Sequence, residues 1–316
     1  MVRLILRRLL LLVLLVPLIH AFGFFYAMYY NPYSVAARQG TLPIGFTVPD
    51  AVFAPAYRTY LQNLRQGDWG KTERTPLNKY MPRFVNRSLI LAGVALLATL
   101  TLGPLLALLS ISRQTGRVSS AALTVFTLGT AIPGFFLGTV LIVTLLLTTR
   151  WGWFASLPLP VQGYGVGKHL ILPALVLAVR PVLYVAYVTA GLLEHEFQQD
   201  YIRVAKGKGL RWRQLLWRHA LPNVAAAAVT TLGRSLQMVI GGLALVETLF
   251  DWRGMGWLMV TVIAGRTPGP NYFNPPLLAM LLAIFAALLI ITDLLASIWT
   301  HVVDPRLRQG AAPGRA

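Results

Sequence analysis

Six long apolar stretches dominate this sequence and limit what it can fold into. Each holds about 20 or more mostly apolar residues, the length that an α-helix needs to cross the hydrocarbon core of a bilayer. Because lipid offers no hydrogen-bond partners to an open backbone, the crossing segments must be helical. The sequence therefore predicts an all-α membrane protein with six transmembrane helices, near residues 9–30, 89–111, 120–149, 170–193, 223–249 and 277–300.

Composition agrees with a membrane location. Of the 316 residues, 56% are hydrophobic and only 12% are charged, so a soluble globule of this chain would expose a very large apolar surface. The net charge of +18 fits either nucleic-acid binding or a membrane protein with basic cytoplasmic loops. The apolar content favours the membrane protein, without a nucleic-acid partner. The absence of cysteine excludes disulfides, thiolate metal ligands and a cysteine nucleophile.

The N-terminus resembles a signal peptide, because three arginines precede the first apolar stretch. No small-residue cleavage site follows, and the apolar run continues to Tyr30 with aromatic residues. We therefore predict that residues 1–30 form a retained first transmembrane helix.

The orientation follows from the distribution of Lys and Arg. With the N-terminus inside, 14 of them lie in inside segments, four in short outside loops and eight in residues 31–88. Long translocated segments largely escape the positive-inside rule, so the short loops decide and both termini are predicted to be cytoplasmic. Residues 31–88 are then external, with a possible helix from Tyr57 to Leu64. Residues 89–300 form a five-helix core, and residues 301–316 form a cytoplasmic tail.

The third apolar stretch is too long for a simple crossing. Proline interrupts a helix and restricts the residue before it, so Pro133-Gly134 predicts a kink or a break. Gly134 and Gly138 form a Gly-x3-Gly pattern, which permits close helix packing and indicates no chemistry of its own.

The segment between the fourth and fifth stretches, residues 194–222, is strongly basic and therefore predicted to be cytoplasmic. Ile202, Ala205 and Leu210 alternate with charges at near-helical spacing. Gly209 is expected to end one short helix, and Pro222 fits the first turn of the next. The pattern predicts a helix, a glycine turn and a second helix on the inner face of the membrane. The alternative is an interfacial loop bound to anionic headgroups, which does not account for the spacing from Gly209 to Pro222.

At these residues the chain resembles a known family. The spacing from Gly209 to Leu221-Pro222 is that of the EAA motif in permease subunits of ABC importers. The segments 200–210 and 218–223 are similar to the peptide/nickel branch, which has Arg where other branches have Glu. The loop at 266–276 looks longer than in that branch. Further stretches resemble the branch in the same order: Tyr60-Leu61 with Gly67-Asp68-x-Gly70, Ile132–Gly138, Leu170–Leu175, Val246–Gly256 and Asp304–Arg308.

The resemblance implies a type I ABC importer permease fold in a bacterial or archaeal plasma membrane. Such a subunit pairs with a homologous second permease, binds two cytosolic ATP-binding subunits and receives solute from an external solute-binding protein. The chain has no Gly-x4-Gly-Lys-Ser/Thr phosphate loop, so ATP–Mg is expected on the ATP-binding partner and no cofactor on this chain. By this match, the residues that couple to the ATPase are Arg203, Ala205, Lys206, Gly209, Leu210, His219, Leu221 and Pro222.

Charged residues inside a membrane are functional candidates by default. Four lie in or near the apolar stretches: Arg180, Arg234, Glu247 and Asp293. Arg234 and Asp293 lie roughly 16 and 11 Å from the inner ends of their helices, so they are candidates for an ion pair. Equally, one of them could line an aqueous cavity alone. Glu247, near the outer end of its stretch, is expected to be structural or to take part in gating.

Two other functional classes fit the sequence less well. The five histidines are scattered, and Glu194-His195-Glu196 lacks the His-Glu-x-x-His spacing of a zinc site, so no catalytic or metal-binding residue is predicted. A secondary transporter or channel that needs no ATPase requires an ion pathway, for which four scattered charges are thin support. The solute is left open among dipeptides, longer peptides, nickel chelates, glutathione and sugars.

Overall fold

The computed structural model describes residues 2–38, 50–72, 75–153, 156–264 and 273–303, which form helices joined by turns. The predictions for the motif at 304–308, for the rest of the tail and for most of the loop at 266–276 lie outside the described residues. The helices are α1 (Val2–Arg38), α2 (Asp50–Arg65), α3 (Leu77–Ser110), α4 (Ser120–Ala131), α5 (Gly134–Arg150), α6 (Lys168–Phe197), α7 (Asp200–Gly207), α8 (Trp212–Gln214), a π-helix (Leu215–Ala220), α9 (Leu221–Leu249), α10 (Met255–Ala264) and α11 (Pro275–Val303).

Four of these helices are long and apolar enough to cross a membrane: α3, α6, and the segments Ile5–Tyr30 of α1 and Pro275–Ile298 of α11. Two bent pairs also qualify if each counts as one span, namely α4 with α5 and Trp212–Ala225 with Thr230–Leu249. The described chain thus has four to six candidate spans. The all-helical prediction is confirmed, and each of the six predicted stretches overlaps one of these candidates.

The predicted break in the third stretch is confirmed. α4 ends at Ala131, α5 begins at Gly134, and the two helices are bent by 100°. Ile132 and Pro133 are both extended, with ψ of 125° and 135°, as expected for a proline and the residue before it. The break places the first turn of α5 within the apolar part of the chain.

α3 begins well before the predicted span at residue 89. Its first turns bury Leu77, Met81, Phe84 and Ser88 on one face, at helical spacing. The charged residues between them lower the apolar content of this stretch, so length and composition alone placed it in the external segment. The helix signal there is the spacing of the apolar residues.

The core of the bundle lies between α3, α6 and α9, and α1 packs along α11. Small residues allow the close crossings that membrane helices favour. A Cβ on Gly103 of α3 would lie 2.7 Å from Val185 Cγ1 of α6, so this crossing tolerates no side chain.

The predicted helix in the segment after α1 is also confirmed, as part of α2. Tyr57 and Tyr60 pack on α1 in an aromatic cluster with Phe24 and His20. The His20 Nδ1 and Tyr57 Oη atoms lie 3.0 Å apart. Burial, followed by the nearby Tyr57 and Asp68, raises the pKa of Tyr60, so this phenol stays neutral.

Candidate coupling segment and intramembrane charges

Residues 194–222, named here the coupling segment, contain the predicted glycine turn. Gly209 has a φ of +81°, which an L side chain adopts only with strain. Its N–H donates to Lys206 O (3.0 Å), and the N–H of Leu210 donates to Ala205 O (3.3 Å). These two bonds form a Schellman motif, which satisfies the last carbonyl groups of α7. The prediction that Gly209 ends a short helix is confirmed.

One face of α7 is anchored to the rest of the protein. Ile202 is buried in a cluster with Phe197 and Leu215, against which Ala205 and Leu210 also pack. The Lys206 ammonium donates a 2.9 Å hydrogen bond to the carbonyl of Gln114, in the turn between α3 and α4. Ala205, Lys206 and Leu210 therefore hold α7 in place.

The other face of α7 is exposed. Tyr201 and Val204 are 42% and 58% exposed, a large apolar surface for so short and charged a helix. Arg203 is exposed and lies 3.2 Å from Asp200, in a pair that solvent screens. A face that combines apolar and basic side chains on a fixed helix is suited to contact another protein.

A polar network joins α6, α7 and α9 at this end of the bundle. The Tyr201 hydroxyl donates to Glu196, and Asn223 Nδ2 donates to both Glu196 Oε1 and the Tyr201 oxygen, each at 2.8 Å. Burial, followed by the bond to Glu196, raises the pKa of Tyr201, so its hydroxyl remains a donor at neutral pH. The half-buried His219 lies beside it, with ring centroids 6.4 Å apart.

The second half of the coupling segment is partly a π-helix, which the sequence analysis did not predict. After α8, residues Leu215–Ala220 are π-helical and lead into α9. Pro222 lies in the first turn of α9, as predicted, and Leu221 packs against the cluster around Ile202. Single π-helical turns are frequent at functional sites.

Glu247 lies at the far end of α9 and is completely buried. Its carboxylate accepts hydrogen bonds from Ser88 Oγ (2.5 Å), Gly256 N (2.7 Å) and Trp257 N (3.0 Å). Ser88 Oγ also accepts from the N–H of Met255 at 2.7 Å. Glu247 therefore satisfies the first N–H groups of α10 and ties α3, α9 and α10 together.

Asp293 of α11 forms a salt bridge with Arg8 of α1 and accepts a 3.1 Å hydrogen bond from Gln237 of α9. The hypothesis that it pairs with Arg234 is therefore corrected. Arg234 is exposed and forms no salt bridge with any described residue. The actual cation, Arg8, was counted with the cytoplasmic N-terminus and was not considered as an intramembrane group.

Arg180 is the fourth intramembrane charge. It lies near the middle of α6, is exposed, and lines a cavity between α5, α6 and α9. Among the described residues it has neither an ion pair nor a hydrogen bond.

The structure thus separates the predicted residues. The coupling segment, the Glu247 network, the cavity at Arg180 and the Arg8–Asp293 pair are four distinct places, and Arg234 belongs to none of them. Sequence reasoning missed Ser88, Gln114 and Gln237. A lone serine or glutamine in an apolar stretch is a usable signal for a buried hydrogen bond, since such groups need a partner. A backbone carbonyl acceptor, as in Gln114, leaves no signal in the sequence. No group of three or more acidic or histidine residues among the described ones could hold a metal ion.

Comparison with known proteins agrees with the resemblance noted in the sequence. Residues 99–309 match the family described as "Binding-protein-dependent transport system inner membrane component". The chain is 29% identical over 259 residues to the probable peptide ABC transporter permease protein y4tP of Sinorhizobium fredii, covering 79% of this chain and 78% of that protein. It is 29% identical over 257 residues to the oligopeptide transport system permease protein AppB of Bacillus subtilis, covering 79% of each. It is 28% identical over 255 residues to the dipeptide transport system permease protein DppB of the same organism, covering 80% of this chain and 78% of that protein.

The match covers about two thirds of the chain, from within α3 to beyond α11. It includes the coupling segment and every residue of the Glu247 and Asp293 networks except Ser88 and Arg8. The chain belongs to the family of inner membrane components of binding-protein-dependent transport systems, and it is a multi-pass permease subunit of such a system.

Proposed function

We propose that this chain is one of two homologous permease subunits of an ATP-driven importer and forms half of its translocation pathway. It crosses the membrane six times, with α4–α5 and the segment 212–249 each counting as one span, and both termini are cytoplasmic. Two cytosolic subunits bind and hydrolyse ATP–Mg beneath it. An external solute-binding protein delivers the solute.

The observation that carries this proposal is the exposed face of α7 on a firmly anchored helix. Ile202 and Lys206 anchor α7 to the rest of the protein. Tyr201, Arg203 and Val204 are exposed on its other face, where a partner can contact them. Force applied to that face passes to the bundle through the Tyr201–Glu196–Asn223 network. This geometry suits a docking site for an ATP-binding subunit, and it favours the importer over a transporter that needs no ATPase.

Peptides are the proposed class of solute. The three relatives described above carry the names of peptide, oligopeptide and dipeptide permeases. Their similarity extends over four fifths of the chain, so it includes the helices that line the cavity near Arg180.

The test is co-purification from gently solubilised membranes with a tag on this chain. Val204→Asp places a charge on the exposed apolar part of α7 without disturbing the buried Ile202. We expect the ATP-binding subunit to be lost from the Val204→Asp sample while the second permease is retained. Lys168→Glu, an exposed charge change at the opposite end of α6, is the matched control and should retain both partners. If the parent chain purifies alone and transports without an ATPase, the proposal is wrong.

A further inference from the structure

A cavity of about 400 Å³ opens beside the break between α4 and α5. Its walls come from the first turn of α5, the middle of α6 and the second half of α9, and every lining side chain except that of Arg180 is apolar. Arg180 is the only ionisable residue among the described residues that line it. The volume falls within the range of small-molecule sites, which combine apolar walls with a few polar groups.

Arg180 lies deep in the membrane-spanning part of the chain. It is about 12 residues, or roughly 18 Å, from one end of α6 and about 17 residues, or roughly 26 Å, from the other. A charge at this depth is costly unless it faces water or a counter-charge. Its exposure to the cavity therefore indicates that the cavity is part of an aqueous pathway and not a lipid-filled groove.

No carboxylate of the described residues forms a salt bridge with Arg180. Glu194 and Glu196 lie in the last turn of α6, at least 14 residues or roughly 21 Å along the helix from Arg180. Of the other acidic residues, only Glu247 and Asp293 lie in the membrane-spanning segments of the described structure. The first is occupied by Ser88 and two backbone N–H groups, and the second by Arg8 and Gln237. We therefore expect a counter-charge for Arg180 to come from outside the described part of the chain.

We infer that Arg180 binds the carboxylate of the transported peptide as it passes through the pathway; this assignment rests on the proposed function. Peptides differ in their side chains but share a terminal carboxylate. A cavity with apolar walls and one cation accepts varied side chains while it recognises the group they have in common. Guanidinium is also the side chain best matched to a carboxylate, because it can donate two parallel hydrogen bonds.

The end of α5 adds to this positive site. Gly134 and Phe135 line the cavity, and they are the first two residues of α5. The N–H groups of a first helical turn have no partner within the helix and carry a partial positive charge. Broken helices in transporters use this arrangement near the middle of the membrane to hold anionic groups of a substrate.

Two glycines of α9 line the cavity, and one of them provides a test that leaves Arg180 unchanged. A Cβ on Gly241 meets nothing within 4 Å, whereas a Cβ on Gly242 would lie 2.8 Å from Leu177 Cδ1. A larger side chain at Gly241 therefore fills the cavity without disturbing the packing of α6 against α9. Gly241→Leu should reduce uptake of tripeptides more than uptake of dipeptides.

The main experiment measures uptake by the complete complex in proteoliposomes, with Arg180→Gln as the variant. The substrates are one dipeptide with a free carboxylate and its C-terminal amide, each first shown by titration to bind the external binding protein. We expect Arg180→Gln to lower uptake of the free dipeptide by roughly ten- to hundredfold, the loss typical of a charge-assisted hydrogen bond, with little effect on the amide. Arg234→Gln, an exposed intramembrane arginine outside the cavity, should leave the ratio of the two substrates unchanged.

Charge restoration gives an independent readout, because the chain contains no cysteine. Arg180→Cys should lose uptake of the free dipeptide. Modification with 2-aminoethyl methanethiosulfonate, which restores a cation, should recover part of it, while the anionic sulfonatoethyl reagent should not. The parent complex, treated with each reagent separately, controls for modification of thiols on the other subunits.

Three results would overturn the assignment. If uptake of the free dipeptide and its amide falls equally, Arg180 does not recognise the carboxylate. If Arg180→Gln loses the second permease during purification, the counter-charge lies on that subunit. If the parent complex takes up neither peptide, the proposed function itself fails, and this result is distinct because it needs no variant.

Discussion

Glu247 allows the most quantitative prediction, because every partner of its carboxylate is defined. We consider two substitutions, Glu247→Ala and Glu247→Gln. Alanine removes the acceptor for Gly256 N and Trp257 N, two N–H groups in the first turn of α10, and the partner of Ser88 Oγ. The site is completely buried, so water does not replace the lost bonds.

The two substitutions differ in what they leave unsatisfied. At about 1–3 kcal/mol for each buried group without a partner, the two N–H groups alone make Glu247→Ala cost about 2–6 kcal/mol. Glutamine can direct its oxygen at both N–H groups, which share Oε2 of Glu247. Its amide then faces Ser88 Oγ, which can accept a second bond. Glu247→Gln therefore loses only the charge-assisted part, about 1–2 kcal/mol.

Thermal unfolding of the purified complex in detergent, followed by tryptophan fluorescence, measures the difference. Trp252 and Trp257 lie beside the network and report on it. At roughly 2 °C for each kcal/mol in a chain of this size, we expect Tm to fall by roughly 8 °C for Glu247→Ala and roughly 3 °C for Glu247→Gln.

The matched control is Asp251→Asn, a carboxylate close by in the chain. Asp251 pairs with Arg253 at 3.5 Å, but both side chains are well exposed, so its loss should cost less than about 1 kcal/mol. Equal Tm values for Glu247→Ala and the parent would refute the reasoning, because they would mean that the N–H groups of α10 need no acceptor.

Three further predictions concern the coupling segment and the intramembrane pair. A Cβ at Gly209 would meet open space, but the φ of +81° strains any residue other than glycine. We expect the coupling of ATP hydrolysis to uptake to decline in the order Gly, Asn, Ala, Val, with about 1–2 kcal/mol of backbone strain for Ala. An Asn variant as impaired as Val would contradict a backbone cause. Arg8→Asp and Asp293→Arg should each lower stability by about 1–3 kcal/mol, and the double variant should recover part of this loss. A double-mutant cycle of melting curves measures the recovery, and strictly additive losses would argue against the pair. Lys206→Met removes the hydrogen bond to Gln114 and should cost less than about 1 kcal/mol of stability. It should raise the number of ATP molecules hydrolysed per peptide imported. If that number is unchanged, Lys206 has only a surface role.

The helices of this protein could be predicted from the sequence because their cause is local. An apolar stretch long enough to cross a bilayer must be helical, and Pro133 and Gly209 act on the residues next to them. The start of α3 was placed about a dozen residues too late because hydropathy averages both faces of a helix. Leu77 and Phe84 face the core there, although the charged residues between them mask the pattern.

The hydrogen-bond partners could not be predicted in the same way, because they depend on how distant segments pack. Ser88 and Glu247 are 159 residues apart in the chain, and Lys206 and Gln114 are 92 apart. In each case the sequence shows one polar group that needs a partner but contains no information on which helix supplies it. The cavity beside Arg180 has the same origin, since three helices form its walls.

The wrong partner for Asp293 shows why depth in the membrane is not enough to predict an ion pair. Similar depth made Arg234 the candidate, but a pair also requires that the two residues lie on facing sides of their helices. Gly233 faces Ala296 of α11, and Gln237, four residues later, contacts Asp293, so this pair of positions defines the side of α9 that faces α11. Successive residues of a helix are rotated by about 100°, so Arg234 lies to one side of this face, where it is exposed. Asp293 instead pairs with Arg8 of α1, the other helix that packs against α11.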